Sequence, residues 1–478
     1  MHTIPACLHK IGIVSKETAD VLVHCEHVGG KLKMKKVVSV LMAGIMAMSL
    51  AACGQSSTAA AASTAAASAA GTSAASSNEA VEVSVAAWDK NFNIPALKAA
   101  EADYQKNVNP NFKLNIIEES QSSDVENAIT LAASSGDYST LPDIVLFQDH
   151  YIQKFVKDYP DAWQDLEDTD VDWSDFGAEK LSFSTIDGKH YGMPVDNGTA
   201  IFAYRTDLLQ EAGYTIDDMK GISWDKWIEV GKAVYEKTGK YLMSMDGDGN
   251  DLPYMMLQAE KSSQFKDGQP YITENETMIK VIDVIKRAVD AHALYLANDW
   301  SDYTDQTIVG DMVAGVMNGN WIIPTIEQVQ ENSGKWEITS LPTLEGGQEG
   351  FASNGGSSLY VTGKSKNAAA AKDFLAKTFG AGSTETYDAA LTNGGVIGCS
   401  TKAGKSDVYN QGVAYFNNQA IYAKIVEMGA NVPVVEQSDY HYTCRTQIAA
   451  AIQNIINGAD EQSALKDAED QLKFAMQG

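Results

Sequence analysis

The residues best placed to do chemistry are aromatic and acidic side chains that follow predicted strands. Trp88 and Asp89 follow the first strand, and Asp149 and His150 come soon after the third. An aromatic ring can pack against the C–H face of a sugar, while carboxylate oxygens accept hydrogen bonds from its hydroxyls. The position at strand ends favours a sugar site over the alternatives, a core tryptophan at Trp88 and a helix cap at Asp149.

The elements that must position these side chains are indicated by apolar periodicity. Three strands are predicted, near residues 81–85, 112–116 and 141–147. Two helices are predicted between them, one beginning at a capping Asn93 and one at a capping box formed by Ser123 and Glu126. This β-α-β-α-β order indicates an α/β fold with a parallel sheet, which binds ligands beyond the carboxyl ends of its strands.

Composition and charge narrow the class of protein. The chain has 478 residues, 63 acidic and 36 basic, and 44% of them are hydrophobic. This composition is typical of a globular protein, and the length suggests two or three lobes. Because six lysines and three acidic residues precede Cys53, the remainder keeps 30 basic against 60 acidic side chains. Such an acidic surface repels phosphate backbones and anionic lipid headgroups, so we expect no nucleic-acid partner and favour a neutral ligand.

An apolar stretch near the N-terminus predicts the cellular location. Residues 37–52 are uncharged, follow three lysines and end in small residues. The stretch is short for a membrane span and has the layout of a secretory signal. Its last three residues and Cys53 read Leu-Ala-Ala-Cys, which resembles the bacterial lipobox, whose cysteine is acylated. We therefore expect a lipoprotein signal peptide at 34–52 and a lipid anchor on Cys53, which would hold the protein on the extracellular side of the cell membrane.

Two further segments flank this signal. Signal peptides usually begin close to their basic residues, so we expect translation to start at Met34 and residues 1–33 to be untranslated. Residues 53–79 begin with the lipidated cysteine and are rich in Ala, Ser and Thr. Such a sequence cannot bury a core and predicts a flexible tether with a reach of about 25 to 30 Å.

A series of motifs resembles one family. In order, the motifs are Gly-Lys-x-Tyr-Gly-x-Pro-x-Asp-Asn-Gly at 188–198, Tyr-Arg-x-Asp-Leu-Leu at 204–209, Val-Ala-Gly-Val-Met-Asn-Gly-Asn-Trp at 313–321 and Tyr-Phe-x-Asn-Gln at 415–419. Their order and spacing resemble the family 1 extracellular solute-binding proteins of bacterial ABC importers, the group that includes maltose-binding protein. The resemblance extends from Glu79 to the C-terminus.

The resemblance implies a two-lobed, periplasmic-binding-protein-like α/β fold. Each lobe would be a mostly parallel sheet flanked by helices, with the ligand cleft between the lobes at the hinge. Lobe 1 would comprise residues 80–194 and about 358–405, and lobe 2 residues 195–357 and about 406–478. The first crossing between lobes is expected near 194–198. The family also implies ABC permease subunits as partners, a monomer and no cofactor.

The resemblance also implies a set of ligand contacts. Carried over position by position, and with His150 added for its place beside Asp149, they are Trp88, Asp89, Asp149, His150, Asp196, Asn197, Tyr254, Trp300, Trp321, Gly355, Gly356 and Ser357. Trp321 follows an apolar run through a tight Asn-Gly-Asn turn, which predicts a strand end and makes it the expected stacking platform. The glycines suit either a close backbone approach at a hinge or an ordinary turn, and the sequence leaves both open.

Cys399 and Cys444 are the only cysteines after Cys53. An even pair in an exported chain predicts a disulfide, with two free buried thiols as the alternative. Closing a loop of this length would stabilise the fold by about 4 kcal/mol.

The segment from Asp246 to Asp251 begins like a calcium loop. However, Asp251 stands where an EF-hand needs glycine, and Leu257 stands where it needs a bidentate glutamate. A polar turn is therefore favoured, and no metal site is expected.

Enzyme classes receive little support. The chain has no Gly-x-Ser-x-Gly, P-loop, His-Glu-x-x-His or Cys-x-x-Cys motif. Two alternatives remain: a secreted glycosidase with Asp149 and Asp196 as its carboxylate pair, and a sugar sensor that presents its ligand to a membrane receptor. The lipobox and the importer-type motifs favour a non-enzymatic lipoprotein that captures a sugar or oligosaccharide by lobe closure and delivers it to an ABC permease.

Overall fold

The structure is a computed structural model that describes residues 79–90, 92–247 and 249–477, together with the backbone of two short strands, His27–Val28 and Lys31–Leu32. The expected signal peptide, Cys53 and the tether at 54–78 lie outside the described residues. The account below concerns the described chain from Glu79 onward, which belongs to one compact unit.

Ten strands of three or more residues occur in this part of the chain. They are β1 Val81–Ala87, β2 Phe112–Glu118, β3 Ile144–Gln148, β4 Gly192–Asp196, β5 Ala200–Arg205, β6 Met243–Met245, β7 Leu294–Leu296, β8 Gly315–Gly319, β9 Trp336–Thr339 and β10 Ser357–Val361. Two small antiparallel pairs of two-residue strands add Thr185–Ile186 with Lys189–His190, and Phe265–Lys266 with Gln269–Pro270.

The same part of the chain contains fifteen α-helices. They are α1 Asn93–Asn107, α2 Ser122–Ser135, α3 Asp149–Asp158, α4 Ala178–Ser184, α5 Thr206–Glu211, α6 Ile216–Met219, α7 Trp224–Thr238, α8 Leu252–Ala259, α9 Glu276–Asp290, α10 Ile323–Ile326, α11 Ala368–Lys377, α12 Thr384–Gly394, α13 Ile421–Ala430, α14 His441–Ile456 and α15 Glu461–Ala475. Among the residues described, no helix is both long and apolar enough to span a bilayer.

The first sheet has the strand order β2-β1-β3-β10-β4. Strand β1 pairs in parallel with β2 and β3, whereas β10 runs antiparallel to both β3 and β4. Four of the five strands therefore point the same way. The valines that predicted β1 are consistent with this position, since Val83 and Val85 are fully buried in the core.

The second sheet repeats this arrangement. Strands β8, β5 and β9 form an antiparallel sheet with β5 in the centre, and β6 pairs in parallel with β7. A parallel bridge between Tyr241 and Val313, just before β6 and β8, joins the two parts, and Ala314 N donates to Tyr241 O at 2.8 Å. The combined order is β7-β6-β8-β5-β9, in which β5 alone is reversed.

The chain crosses between the two sheets at two segments. It leaves the first sheet after Asp196 and enters the second at Ala200, within the region where a crossing was expected. It returns between Thr339 and Ser357, where β10 begins. The wider division of the chain into lobes stays a prediction.

The predicted helix caps were wrong in detail. Asn93 is the first residue of α1 and not its cap; Ile94 N instead donates to the backbone carbonyl of Asp89 at 3.2 Å. Helix α2 begins before the expected Ser123, and its capping box pairs Gln121 with Asp124, whose carboxylate accepts from Gln121 N at 3.3 Å. Both helices were located correctly, because apolar spacing locates a helix more firmly than one capping residue does.

The predicted disulfide is wrong. Cys399 and Cys444 are both free and buried. Cys399 packs in a hydrophobic cluster that contains residues of both sheets, whereas Cys444 packs in a separate cluster on the second sheet and its thiol donates to Gln264 Oε1 at 2.8 Å. The number of cysteines could not reveal that the two thiols belong to different cores.

Candidate functional site

A cleft of about 910 Å³ is lined by residues from both sheets. From the first sheet, Trp88 and Asp89 follow β1 and Asp196 ends β4. From the second, Asp246 follows β6 and Asn318 lies near the end of β8. The cleft therefore lies at the carboxyl ends of parallel strands in both sheets, as the rule for open α/β sheets predicts.

Three tryptophans line the cleft: Trp88, Trp300 and Trp321. Trp300 is 47% exposed, while the other two are half-buried. The rings of Trp300 and Trp321 lie 5.9 Å apart between centroids, and Trp321 Nε1 donates to Asn354 O at 2.8 Å. Trp321 directly follows the end of β8, as predicted, and its hydrogen bond holds the ring against the crossing segment.

Four aspartates line the cleft: Asp89, Asp196, Asp246 and Asp251. Asp196 is 4% exposed and accepts a hydrogen bond from Ser357 Oγ. Burial raises the pKa of Asp196, while Lys180 and the hydrogen bonds from Ser357 act to lower it. The cleft can thus offer carboxylate oxygens to several ligand hydroxyls, and a hydrogen bond to a charged acceptor is worth about 1.5 to 3 kcal/mol.

The glycines of the crossing segment allow backbones to approach closely. Gly355 and Gly356 line the cleft and have φ values of 83° and 107°, which residues other than glycine rarely adopt. A Cβ on Gly356 would overlap Asp149 Oδ2, and one on Gly198, where φ is 56°, would lie 2.5 Å from Asn354 O. These positions are therefore sites of close packing at the crossing, which settles the choice left open by the sequence.

Two predicted ligand residues at the first sheet lie beneath the cleft surface. Asp149 is 1% exposed, and its Oδ2 forms an ion pair with Lys180 Nζ at 2.5 Å. Asn197 is 5% exposed and donates to Thr199 Oγ1 at 3.2 Å. Neither residue lines the cleft. Asp149 follows β3 as expected, but it points toward a buried lysine whose position no local pattern indicated.

Two further predicted contacts are also absent from the cleft lining. His150 is buried, and its ring stacks on that of His441 with centroids 3.9 Å apart. Tyr254 is 3% exposed, and its hydroxyl accepts from Gln437 Nε2 at 3.1 Å. Both side chains belong to a buried aromatic cluster beside the cleft, so the structure brings together eight of the twelve predicted contacts: Trp88, Asp89, Asp196, Trp300, Trp321, Gly355, Gly356 and Ser357.

Sequence reasoning missed the contribution of α14. Tyr442 and Arg445 line the cleft, with the Arg445 guanidinium 4.8 Å from the centre of the Tyr442 ring. Arg445 Nη1 also lies 3.2 Å from Asp251 Oδ2. Burial would raise the pKa of Asp251, but His441 and Arg445 outweigh it and hold the pKa at about 2. The three-residue spacing indicates that Tyr442 and Arg445 share one face of a helix, but it does not indicate that this face lines the cleft.

Other lining residues were also missed. They come from the ends of helices and strands: Phe92, Asn93, Gln148, Asn318, Pro324, Asn354, Thr392, Asn393, Gly394 and Gly395. Most are small or amide residues, and apart from Asn318, which lies in the motif at 313–321, the sequence carried no signal that would have selected them.

The sequence profile of the bacterial extracellular solute-binding proteins matches residues 97–417. The chain belongs to this family. A lactose-binding protein of Rhizobium radiobacter is 32% identical over 400 residues, which is 83% of this chain and 94% of that protein. Membership of this family confirms the resemblance found in the sequence. It also implies that this solute-binding protein is exported and extracytoplasmic.

Solved structures agree with this assignment. The sugar-binding protein MalE of Xanthomonas citri superposes with a TM-score of 0.69 at 17% identity, over 82% of this chain and 96% of that one. The galacto-N-biose-/lacto-N-biose I-binding protein of Bifidobacterium longum, solved with lacto-N-biose, gives a TM-score of 0.64 at 19% identity, over 82% and 96%. Such likeness shows the fold, and it confirms the predicted two-lobed, periplasmic-binding-protein-like architecture of the solute-binding protein.

Proposed function

We propose that this protein captures a sugar or oligosaccharide between its lobes and delivers it to the permease of an ABC importer. One observation carries the proposal: Trp88, Trp300 and Trp321 share a single cleft with Asp89 and Asp196, at the carboxyl ends of the parallel strands of two mixed sheets. Rings offer stacking surfaces and carboxylates accept from hydroxyls, which is the chemistry of a sugar. The lactose-binding relative supports the same ligand class.

The mechanism is capture by closure. Trp88 and Asp89 belong to the first sheet, whereas Trp300 and Trp321 belong to the second. A ligand that contacts both groups stabilises the closed state only through the contacts that closure adds. The closed lobes then form the surface that the permease recognises, and no cofactor takes part.

The glycosidase alternative loses its carboxylate pair. A hydrolytic site needs two carboxyl groups beside the scissile bond. Asp149 is buried in its ion pair with Lys180 and does not line the cleft, so Asp149 and Asp196 do not flank a common ligand position. Because the chain belongs to a family of solute-binding proteins, we infer binding without catalysis. An assay for new reducing ends tests this directly, and hydrolysis of a bound sugar would contradict it.

A screen of ligands tests the proposed function. We expect lactose, lacto-N-biose or maltose to raise the melting temperature, because a ligand at 100 times its Kd stabilises the native state by about 2.7 kcal/mol. An amino acid and a dipeptide serve as non-sugar probes. Calorimetry then gives the Kd of the best sugar. A shift with the non-sugar probes alone would refute the proposal.

The membrane anchor belongs to the same proposal. We infer that Cys53 carries the lipid and that the tether lets the lobes move above the membrane. Replacing Cys53 by Ser in the full chain should release the protein from the membrane fraction. Ser56→Ala, a change three residues away, is the matched control and should leave the protein in that fraction. Membrane retention of the Cys53→Ser variant would refute the anchor.

A further inference from the structure

Lys180 is a buried cation beneath the cleft. Its side chain is 1% exposed, and it lies in α4. The ammonium group forms an ion pair with Asp149 Oδ2 at 2.5 Å and donates to the carbonyl of Ser357 at 2.8 Å. Burial would lower the pKa of Lys180, but the attraction of Asp149 and Asp196 outweighs it, so the lysine stays charged.

This ion pair holds the crossing segment from several sides. Asp149 N donates to Gly356 O at 3.1 Å, and Asp149 Oδ1 accepts from Ser358 Oγ at 3.2 Å. Together with the bond from Lys180 to Ser357 O, these contacts hold the backbone carbonyls of Gly356 and Ser357, which line the cleft, and the side chain of Ser358. The cluster therefore determines the shape of one wall of the cleft.

The same lysine acts on Asp196, which does line the cleft. Lys180 is the cation that opposes the effect of burial on the pKa of Asp196. Five other ionisable groups surround Asp149, Lys180 and Asp196. They are His150 on α3, Glu179 on α4, Tyr360 on β10, Tyr442 on α14, and Cys399, which lies between α12 and α13. Of these, His150 is the group that could carry a positive charge, but burial lowers its pKa well below the ordinary value, and Glu179 is an acid, so neither can replace the charge of the lysine.

We propose that Lys180 is a positioning residue for ligand binding: it fixes the Gly356–Ser357 wall and supplies the buried positive charge for Asp149 and Asp196, without touching the ligand itself. The proposal rests on the proposed function, because the ligand is taken to be a sugar with hydroxyls that donate to Asp196. Removing the cation leaves two buried carboxyl groups without a counter-charge, which raises the pKa of both.

The test is the pH profile of sugar affinity in Lys180→Met, which has similar length and no charge. With the best sugar of the screen, beginning with lactose, we expect the Kd at pH 7 to rise about tenfold or more, because the wall loses its bond from Lys180 and the pKa of the acceptor Asp196 rises. We also expect the pH midpoint below which binding weakens to move upward from that of the parent. Lys154→Met, which breaks an exposed ion pair with Asp158 on α3, is the matched control and should bind like the parent.

The possible outcomes separate the inference on Lys180 from the proposed function. If the parent binds no sugar, the proposed function fails and this inference falls with it. If the parent binds and Lys180→Met has the parent's affinity, or a weaker affinity with an unchanged pH profile, the inference alone is wrong. Should Lys180→Met not fold, Lys180→Met/Asp149→Asn removes the pair without leaving a lone charge on Asp149 and should show the same weakening and the same shift. Asp196→Asn is measured in every case, and a parent-like Kd for that variant would also overturn the inference.

Discussion

The imidazole rings of His150 and His441 lie face to face, with centroids 3.9 Å apart and planes 7° from parallel. His150 belongs to α3 beside the first sheet, and His441 is the first residue of α14, which packs in the core of the second. His441 Nε2 lies 3.1 Å from Asp251 Oδ1. The stack therefore links elements of the two sheets through two titratable rings, next to Tyr442 in the cleft.

We predict that His150 makes the fold less stable in acid. Burial, and the nearby His441, lower the pKa of His150 well below its ordinary value. The unfolded chain takes up this proton below about pH 6.5, whereas the folded chain does not, so stability falls as the pH decreases. When the pH falls from 6.5 to 5.0, the free energy of unfolding of His150→Phe, measured in urea, should decrease by about 1 to 2 kcal/mol less than that of the parent. His292→Gln, at an exposed histidine, should keep the parent's slope, and equal slopes for all three proteins would contradict the prediction.

Glu179 should make the fold less stable as the pH rises, which is the opposite of the effect of His150. It is fully buried, Ser353 Oγ donates to its Oε1 at 2.6 Å, and Gln258 Nε2 donates to the same oxygen at 3.2 Å. Burial raises its pKa to about 7 despite these bonds. Because the folded pKa exceeds the unfolded one, the parent loses stability as the pH rises from about 4.5 to 7.

The variant Glu179→Gln should lack this loss. From pH 5 to pH 8, we expect the free energy of unfolding of the parent to fall by about 2 to 3 kcal/mol more than that of Glu179→Gln. Urea unfolding at the two pH values measures the difference. Glu345→Gln, at a side chain that is 89% exposed, is the control and should follow the parent. A Glu179→Gln variant with the parent's pH dependence would show that Glu179 does not titrate in this range.

Gly356→Ala should be more damaging than Gly136→Ala. Both glycines have positive φ, 107° and 70°, so both substitutions cost about 1 to 2 kcal/mol of backbone strain. Only at Gly356 would the new Cβ overlap another group, Asp149 Oδ2, whereas Gly136 has open space around it. Overpacking should therefore add about 1 to 3 kcal/mol to the destabilisation caused by Gly356→Ala. Urea unfolding of the two variants measures this difference in the free energy of unfolding. Equal losses would mean that the crossing segment can move away from Asp149.

Trp321→Ala should weaken sugar binding by about 2 kcal/mol or more, which is about thirtyfold in Kd. The ring lines the cleft beside Trp300, so its truncation removes a stacking surface. Trp173→Ala is the control, because Trp173 is also half-buried but stacks on His190, with centroids 4.1 Å apart, and does not line the cleft. Calorimetry with the best sugar measures both. A folded Trp321→Ala variant with the parent's Kd would remove Trp321 from the site.

Local sequence patterns determined the strand ends and, through them, most of the site. The alternating valines of β1 and the apolar run before Trp321 predicted where strands end, and in parallel sheets those ends meet at one edge. Trp88, Asp196 and Trp321 were therefore found from the residues and the resemblance, and all three line the cleft. The family followed from the order of motifs along the chain.

Which side of a strand end faces the ligand was decided only by the tertiary structure. Asp149 and Asp196 both occupy strand ends, yet Asp149 turns into the protein because Lys180, thirty-one residues later, supplies a buried counter-charge. Likewise, Arg445 reaches the cleft because α14 packs on the second sheet. Such contacts depend on where distant elements pack, and the free energy of a buried ion pair depends on that packing and not on local sequence.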